Sequence, residues 1–269
     1  MSGFSETWLS LREPYDRQAR SRPVLDAVAA WASGRDSVAV VDLACGLGST
    51  LRATTGSLPR RQNWRLVDND LSLLARAATL GKPPELTVTG TPVDLARDLE
   101  MALDGPVELV TTSALLDLVS HEWLDRLVTE AGARRLPVYA ALSYDGLATL
   151  EPADALDAVI VEAVNRHQRT DKGFGPALGP DAAATAPARF EAIGYRVIQG
   201  QSDWVFAPKD AEIQSEVLTG WAAAAREMGA ISITDIINWL ARRRDHIAAG
   251  RSAIRVGHVD FFAQPTATR

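Results

Sequence analysis

The chain has 269 residues, of which 46% are apolar, enough for one large α/β domain or for one domain with a substantial appendage. Its formal net charge of -6 provides no overall positive field for phosphate backbones, which argues against nucleic acid as the substrate. A single cysteine excludes an intramolecular disulfide, and the histidines have no metal-ligand spacing. With no run of about 20 apolar residues, the sequence predicts a cytoplasmic protein without a metal or a membrane segment.

The first predicted element is an amphipathic N-terminal segment, residues 1–22, in which Pro14 predicts a break in any helix. Four arginines cluster here in an otherwise acidic chain. They form either a solvated basic face or a site for a carboxylate, which a guanidinium binds through two parallel hydrogen bonds. That carboxylate would belong to a cofactor, with Arg20 as its candidate partner, or to a substrate, with Arg12 as its partner.

A helix over residues 23–33 leads into the stretch Ser37–Leu51, SVAVVDLACGLGSTL, an apolar strand that breaks at glycines and continues as a helix. Gly46 and Gly48 allow a sharp turn whose backbone a ligand can approach closely. A second apolar run ends at Asp68, where an acid can accept hydrogen bonds from both hydroxyls of a ribose. Together these features predict a site for a cofactor that carries adenosine.

Dinucleotide-binding enzymes also have a glycine turn followed by an acid, but their third glycine would fall at Leu51, which is bulky. An acid, Asp42, precedes the turn instead. The pattern D-x-A-x-G-x-G resembles the first motif of the class I S-adenosylmethionine-dependent methyltransferases, with Ala44 where that family often has glycine. The resemblance covers residues 38 to about 145, and the rest of the chain resembles the family only in outline. It implies S-adenosylmethionine (SAM) as cofactor and a Rossmann-like, doubly wound, seven-stranded, mostly parallel sheet with an antiparallel last strand.

The resemblance also implies roles for particular residues. In that family the turn backs onto the methionine part of the cofactor, and the residue after the fourth strand, here Ser113, lies beside the reactive methyl. An acid past the third strand accepts the adenine amino group; Asp94 matches it, although an acid at a helix N-terminus is also favoured by the helix dipole. The residues predicted to contact the cofactor are Asp42, Ala44, Cys45, Gly46, Gly48, Asp68, Asn69, Asp94, Leu95, Ser113 and Arg20.

Two insertions depart from the minimal plan of the family. Residues 146–180 follow the fifth strand, so they are expected above the carboxyl edge of the sheet, where they would act as a lid. Residues 207–252 are largely helical and lie between the sixth strand and the antiparallel last strand. The methyltransferase domain is therefore predicted over 23–206 and 253–264. The insertions would provide two lids, or one lid and the face of a homodimer.

The sequence carries few catalytic signals, because methyl transfer mainly requires an aligned nucleophile and the exclusion of water. His167 is the candidate general base, since imidazole takes up a proton near neutral pH. Tyr144 and Asp145, at the end of the fifth strand, are candidates for orienting the substrate. The alternative is that the loop around His167 is only a polar surface connection between two helices. Further predicted substrate contacts are Arg12, Asp117, Arg169 and Lys172.

The predicted function is methylation of a small molecule, because the acidic charge balance and the two insertions favour an enclosed pocket. One alternative is methylation of RNA or protein, which requires the N-terminal arginines and residues 242–244 to share one face. Another is a SAM-binding partner protein without chemistry of its own, in which the pocket over Ser113 and Tyr144 would be blocked.

Overall fold

The computed structural model describes residues 5–79, 84–229 and 231–266. The strands in these ranges are β1 (Ser37–Leu43), β2 (Arg61–Asp68), β3 (Leu86–Pro92), β4 (Leu109–Ser113), β5 (Val138–Glu151), β6 (Tyr195–Gln201), β7 (Trp204–Phe206) and β8 (Ala253–Pro265). The helices are α1 (Glu6–Ala19), α2 (Arg22–Ala32), α3 (Ser49–Thr54), α4 (Leu71–Ala77), α5 (Leu99–Ala102), α6 (His121–Arg134), α7 (Asp157–Gln168), α8 (Ala182–Ala192), α9 (Ala211–Met228) and α10 (Ile233–Ala248).

The strands form one sheet in the order β3-β2-β1-β4-β5-β8-β6, with β7 also paired to β8. The pairs β1–β2, β2–β3, β1–β4 and β4–β5 are parallel, whereas β8 runs antiparallel to β5, β6 and β7. This confirms the predicted doubly wound, mostly parallel sheet with an antiparallel last strand. The strand order reverses between β1 and β4, and ligands in such sheets bind outside the carboxyl ends of the strands at that point.

The predicted sixth strand is divided into β6 and β7, so the described sheet has eight strands. The division falls at Ser202 and Asp203, which bind the backbone of the neighbouring strand β8. The Ser202 N–H donates to the carbonyl of His258, and the Asp203 carboxylate accepts from the His258 N–H at 3.1 Å. Beyond this point β7, β8 and the end of β5 continue as a three-stranded extension above the carboxyl edge of the sheet.

Buried apolar side chains form one core on each face of the parallel sheet and a third core beneath the extension. The third core joins α7, α9 and α10 to β7 and β8, and side chains of α1 pack against it. Trp239 of α10 is fully buried there, and its indole N–H donates to Asp157 of α7 at 2.8 Å. The helices predicted over 207–252 are therefore packed on the extension and on the N-terminal helix. No described helix is both long and apolar enough to cross a membrane.

The predicted break at Pro14 was wrong, because α1 is continuous from Glu6 to Ala19. A proline inside a helix removes one backbone hydrogen bond, but packing on both sides of it compensates here. Trp8 packs edge-to-face on Trp204, and Tyr15 packs in the same way on Phe206. Both halves of α1 are therefore held on the same surface of β7.

Two other helix boundaries differ from the sequence-based prediction. Pro187 favours a first helical turn at its own position, but α8 begins at Ala182, directly after a 3₁₀ turn over Gly179–Asp181. An amphipathic helix was expected after Asp94, but only α5 forms there. Two successive backbone N–H groups donate to the Asp94 carbonyl, and two more donate to the Asp98 carbonyl. These hydrogen bonds divide the segment into short turns.

Candidate functional site

A cavity of about 680 Å³ opens at the carboxyl ends of β1, β2 and β4, where the strand order reverses. Its volume lies within the roughly 300–1,000 Å³ that is usual for small-molecule sites. The loops after these strands form its floor, while α1 and the loop 169–180 form its upper walls. Of the residues predicted to contact the cofactor, it is lined by Ala44, Cys45, Gly46, Asp68, Asn69, Asp94, Leu95 and Ser113.

The glycine turn after β1 has the strained backbone that the sequence pattern predicts. Ala44, Gly46 and Gly48 have φ values of 52°, 51° and 77°. Glycine adopts this left-handed region readily, whereas Ala44 does so at a cost of about 1–2 kcal/mol. A Cβ atom on Gly46 would lie 3.4 Å from Leu9 Cδ1 of α1, so α1 packs directly on the turn.

Asp68, at the end of β2, is hydrogen-bonded to the glycine turn. One carboxylate oxygen accepts from the Gly46 N–H at 2.8 Å, and the other accepts from the Asp70 N–H at 3.0 Å. A carboxylate has about four acceptor positions, so both oxygens can still accept from a ligand. Because Asp68 also lines the cavity, it can bind a diol such as that of a ribose.

Asp42 lies beneath the turn and is completely buried. The Thr111 hydroxyl donates to one of its carboxyl oxygens at 2.8 Å, while the other oxygen has no hydrogen-bond partner among the described residues. Burial raises the pKa of Asp42 to about 7, although the positive charge of Arg20 acts in the opposite direction. Asp42 therefore supports the turn from below and does not line the cavity.

Cys45, in the same turn, is buried and has a strongly raised pKa. Desolvation is the main cause, and the neighbouring carboxylates of Asp42 and Asp68 add to it. Since only a thiolate is a good nucleophile, the raised pKa excludes Cys45 as a nucleophile near neutral pH. Cys45 is therefore a small packing residue in the turn.

Arg20 lies behind Ser113 and does not line the cavity. Its guanidinium donates to the Tyr139 hydroxyl at 3.0 Å and to the Ser113 hydroxyl at 3.4 Å. Asp260 accepts from the Ser21 N–H and the Leu142 N–H, and it completes this buried network. Arg20 thus joins the end of α1 to β4 and β5 directly and to β8 through Tyr139, and among the described residues that line the cavity it bonds to Ser113.

The side of the cavity formed after β3 combines Asp94 and Leu95 with an aromatic pair. Asp94 is exposed, and its carboxylate accepts from the Ala96 N–H at 3.1 Å. The Leu95 carbonyl accepts from the Trp123 indole N–H at 2.6 Å, and Trp123 packs edge-to-face on Phe174. Phe174, from the loop 169–180, also lines the cavity. This side presents a carboxylate and a flat apolar surface, which suits a purine.

Helix α1 supplies a wall that sequence analysis assigned only to Arg12. Leu9, Arg12, Glu13 and Asp16 all line the cavity. Glu13 pairs with Arg52 of α3 at 2.5 Å, and Arg52 also donates to the Leu47 carbonyl in the glycine turn at 2.7 Å. Leu9 and Glu13 are one helical turn apart, so they lie on the same face of α1. This spacing could have predicted that a face of α1 other than that of Arg12 lines the cavity.

The loop 169–180 reaches the cavity through Lys172, Gly173 and Phe174. Asp171 holds its bend by accepting from the N–H groups of Gly173 and Gly175 at 2.6 and 3.0 Å. Of the loop residues predicted to contact substrate, Lys172 therefore lines the cavity. Arg169 does not, because it pairs with Asp181 at 3.2 Å on the outer side of the loop.

The structure does not bring the three predicted catalytic side chains into the cavity. The imidazole of His167 faces α9, with Nε2 at 3.0 Å from a Glu227 carboxylate oxygen. The Tyr144 hydroxyl donates to Asn165 at 2.8 Å, and Asp145 lines a separate depression of about 350 Å³. Asp117 is buried beside the cavity without lining it. No group of three or more potential metal ligands occurs in the described ranges.

No protein-family model matches the sequence, and no curated protein sequence is significantly similar to it. Among solved structures, a cyclopropane-fatty-acyl-phospholipid synthase-like protein from Lactobacillus casei has a TM-score of 0.54 and 12% identity, covering 97% of this chain and 94% of its own. A mycolic acid cyclopropane synthase, CmaA1, solved with S-adenosylhomocysteine (SAH) and CTAB, has a TM-score of 0.50, 13% identity and the same coverage.

A proposed methyltransferase from Bacillus halodurans also has a TM-score of 0.50, with 14% identity over 90% of this chain and 99% of its own. Identities this low establish similarity of fold alone. The agreement extends over nearly the whole chain. The chain has the Rossmann-like fold of the class I SAM-dependent methyltransferases.

Proposed function

We propose that this protein is a SAM-dependent methyltransferase that acts on a small-molecule acceptor. The observation that carries the proposal is the contact between the Gly46 N–H and the Asp68 carboxylate at 2.8 Å on one wall of the cavity. It places a strained glycine turn and a strand-end acid together where an adenosyl cofactor with an amino-acid tail would need them. The similarity of fold described above supports the same cofactor.

The residues present fit SAM at each part of the molecule. The methionine part can approach the turn closely because Gly46 and Gly48 have no side chains. Both glycines also adopt the positive φ values that the sharp turn requires. The ribose would be held by Asp68, and the adenine by Asp94 and Leu95. SAM, when bound, supplies a methyl group on a sulfonium centre.

The protein's own contribution to the reaction would be alignment and exclusion of water. Helix α1 and the loop 169–180 cover the cavity, and Leu118 and Phe174 provide apolar surface beside Ser113. Orienting the acceptor in such a site lowers the barrier without a nearby base, provided that the acceptor atom does not have to lose a proton of high pKa before it reacts. The proposal therefore does not depend on His167.

A small-molecule acceptor is favoured over RNA because the arginines of α10 are engaged within the protein. Arg242 pairs with Asp154 at 2.5 Å, and the fully buried Arg243 pairs with Asp157. A role as a SAM-binding partner without chemistry is disfavoured because the cavity extends beyond the glycine turn and Asp68 to Arg12 and Lys172, which leaves space for an acceptor.

The direct test is calorimetric titration with SAM and SAH, followed by incubation with methyl-labelled SAM and a panel of metabolites. We expect both compounds to bind with micromolar affinity and label to pass to one class of metabolite. Failure of both to bind to folded protein, together with binding of a nicotinamide nucleotide, would refute the proposal. Binding of SAH with label transfer to RNA, and to no metabolite, would refute the small-molecule part alone.

A further inference from the structure

Two cationic side chains line the cavity with hydrogen-bond donors left unpaired. Arg12 donates from Nε to an Asp16 carboxylate oxygen at 2.8 Å, but its two terminal nitrogens have no hydrogen-bond partner in the described part of the chain. The Lys172 ammonium contacts the Thr170 hydroxyl at 3.0 Å and His167 Nδ1 at 3.3 Å. Within the described ranges no carboxylate oxygen lies within 4.0 Å of it.

Arg12 lies on the side of the cavity away from the glycine turn. Its neighbour Glu13 faces the turn and pairs with Arg52 of α3 at 2.5 Å. Arg12 instead lies over the ring of Trp204, with its guanidinium carbon 5.1 Å from the ring centroid, and Trp204 belongs to β7 in the extension. The Glu13 side of α1 thus faces the part of the cavity expected to hold the cofactor, and the Arg12 side faces the part that remains for the acceptor.

Asp16 does not compete for the free donors of Arg12. One of its carboxylate oxygens accepts from Arg12 Nε and the other accepts from the Trp204 indole N–H at 2.9 Å. Arg12 is itself buried, with 8% of its surface exposed. Its orientation is therefore fixed by Asp16 and Trp204, and its terminal nitrogens are held at the cavity wall.

Asp117 provides an independent indication that Arg12 and Lys172 act at one place. It is 6% exposed, and one of its carboxyl oxygens has no hydrogen-bond partner among the described residues. Burial raises the pKa of Asp117 to about 6, and the charges of both Arg12 and Lys172 oppose that rise. The two cations, which come from α1 and from the loop 169–180, therefore flank the same buried carboxyl group.

We propose that Arg12 and Lys172 bind a carboxylate group of the methyl acceptor, so that the acceptor is a small organic acid. A guanidinium whose terminal nitrogens are free binds a carboxylate through charge-assisted hydrogen bonds, and a partly buried ammonium adds a second ion pair. Leu118 lines the same cavity and would pack on the apolar body of the acid. This inference rests on the proposed function, because it identifies the class of acceptor at that site.

The test uses benzoate as the probe and benzamide as its neutral analogue, each titrated into the free protein and into the SAH-saturated protein. We expect benzoate to bind both forms and benzamide to bind at least tenfold more weakly, as the loss of a charge-assisted hydrogen bond predicts. Equal binding of the two probes, or no binding of benzoate at millimolar concentration, would overturn the inference. SAH binding without benzoate discrimination leaves the proposed function standing and rejects only the carboxylate site.

Lys172→Met is the principal variant, with Lys209→Met as its control, because Lys209 is exposed and lies outside the cavity. We expect Lys172→Met to weaken benzoate binding about tenfold and to leave SAH affinity unchanged. Arg12→Met, with the exposed Arg17→Met as control, should act in the same direction. If Arg12→Met does not fold, because Asp16 loses its partner, Lys172→Met alone decides the question.

The carboxylate could instead come from the amino-acid part of the cofactor, and the same titrations distinguish the two sources. If SAH displaces benzoate, or if Lys172→Met and Arg12→Met weaken SAH and leave 5′-methylthioadenosine unaffected, the cations bind the cofactor carboxylate. That result would overturn the acceptor assignment. Simultaneous binding of SAH and benzoate supports it.

Discussion

The Asp68 carboxylate holds the glycine turn by accepting a hydrogen bond from the Gly46 N–H at 2.8 Å. The end of β2 thus shapes the turn after β1. The same oxygen and its neighbour, which accepts from the Asp70 N–H, remain open toward the cavity. One acid therefore supports the turn and, under the proposed function, would also bind the ribose diol.

Asp68→Asn tests both functions, because an amide has a single oxygen and cannot accept from both backbone N–H groups. Loss of one charge-assisted bond is expected to weaken SAH binding by roughly 10–100-fold. Calorimetry with Asp36→Asn as the control provides the comparison, since Asp36 is exposed and has no side-chain hydrogen bond among the described residues. An unchanged SAH affinity in Asp68→Asn would remove Asp68 from the cofactor site.

Gly46→Ala tests the conformation of the turn. A side chain at φ 51° is strained, and its Cβ would also lie 3.4 Å from Leu9. We expect a loss of about 1–2 kcal/mol in the free energy of unfolding and weaker SAH binding. Gly56→Ala is the matched control, because a Cβ there meets no atom within 4 Å and φ is not positive. Equal urea midpoints for the two variants would contradict the strained turn.

The mostly parallel sheet and several residues that line the cavity could be predicted because they are marked by local signals. The glycine turn at Gly46 and the acid at Asp68 each mark the end of an apolar strand, and parallel strands bring such ends to one edge. The loop 169–180 was predicted over the cavity for the same topological reason, and Lys172 and Phe174 do line it.

Which side chains face the cavity could not be predicted from the local sequence. His167 and Lys172 are five residues apart, yet His167 faces Glu227 of α9 while Lys172 lines the cavity. That difference depends on how α7 packs against α9, a contact between segments 60 residues apart in sequence. The wall formed by Leu9 has a similar origin, because α1 is held on the turn by contacts with distant strands and helices.

Arg52→Met tests how α1 is attached over the cavity. Arg52 pairs with Glu13 of α1 at 2.5 Å and donates to the Leu47 carbonyl at 2.7 Å, so its loss loosens both α1 and the turn. We expect SAH to dissociate about tenfold faster, since a partly buried ion pair and a charge-assisted hydrogen bond are both removed. Stopped-flow measurement of SAH release provides the readout.

Glu13→Gln separates the two contributions, because it removes the ion pair and leaves the bond from Arg52 to Leu47 in place. Its effect on the rate of SAH release should be smaller than that of Arg52→Met. No effect in either variant would show that α1 does not control release of the ligand.

Asp42→Asn tests the buried carboxyl group beneath the turn through the pH dependence of stability. The pKa of Asp42 is raised to about 7 in the folded protein, so between about pH 4 and 7 the folded state holds a proton that the unfolded state has lost. The unfolded state binds fewer protons in this window, so the contribution of Asp42 makes the free energy of unfolding fall as the pH rises.

Asparagine retains an acceptor for the Thr111 hydroxyl and does not titrate. The stability of Asp42→Asn relative to the natural protein is therefore expected to increase by roughly 2–4 kcal/mol from about pH 4 to about pH 8. Urea unfolding across this range measures the difference, with the variant Asp36→Asn, at an exposed position, as the comparison. A difference that stays constant with pH would mean that Asp42 ionises in the folded protein as readily as in the unfolded chain.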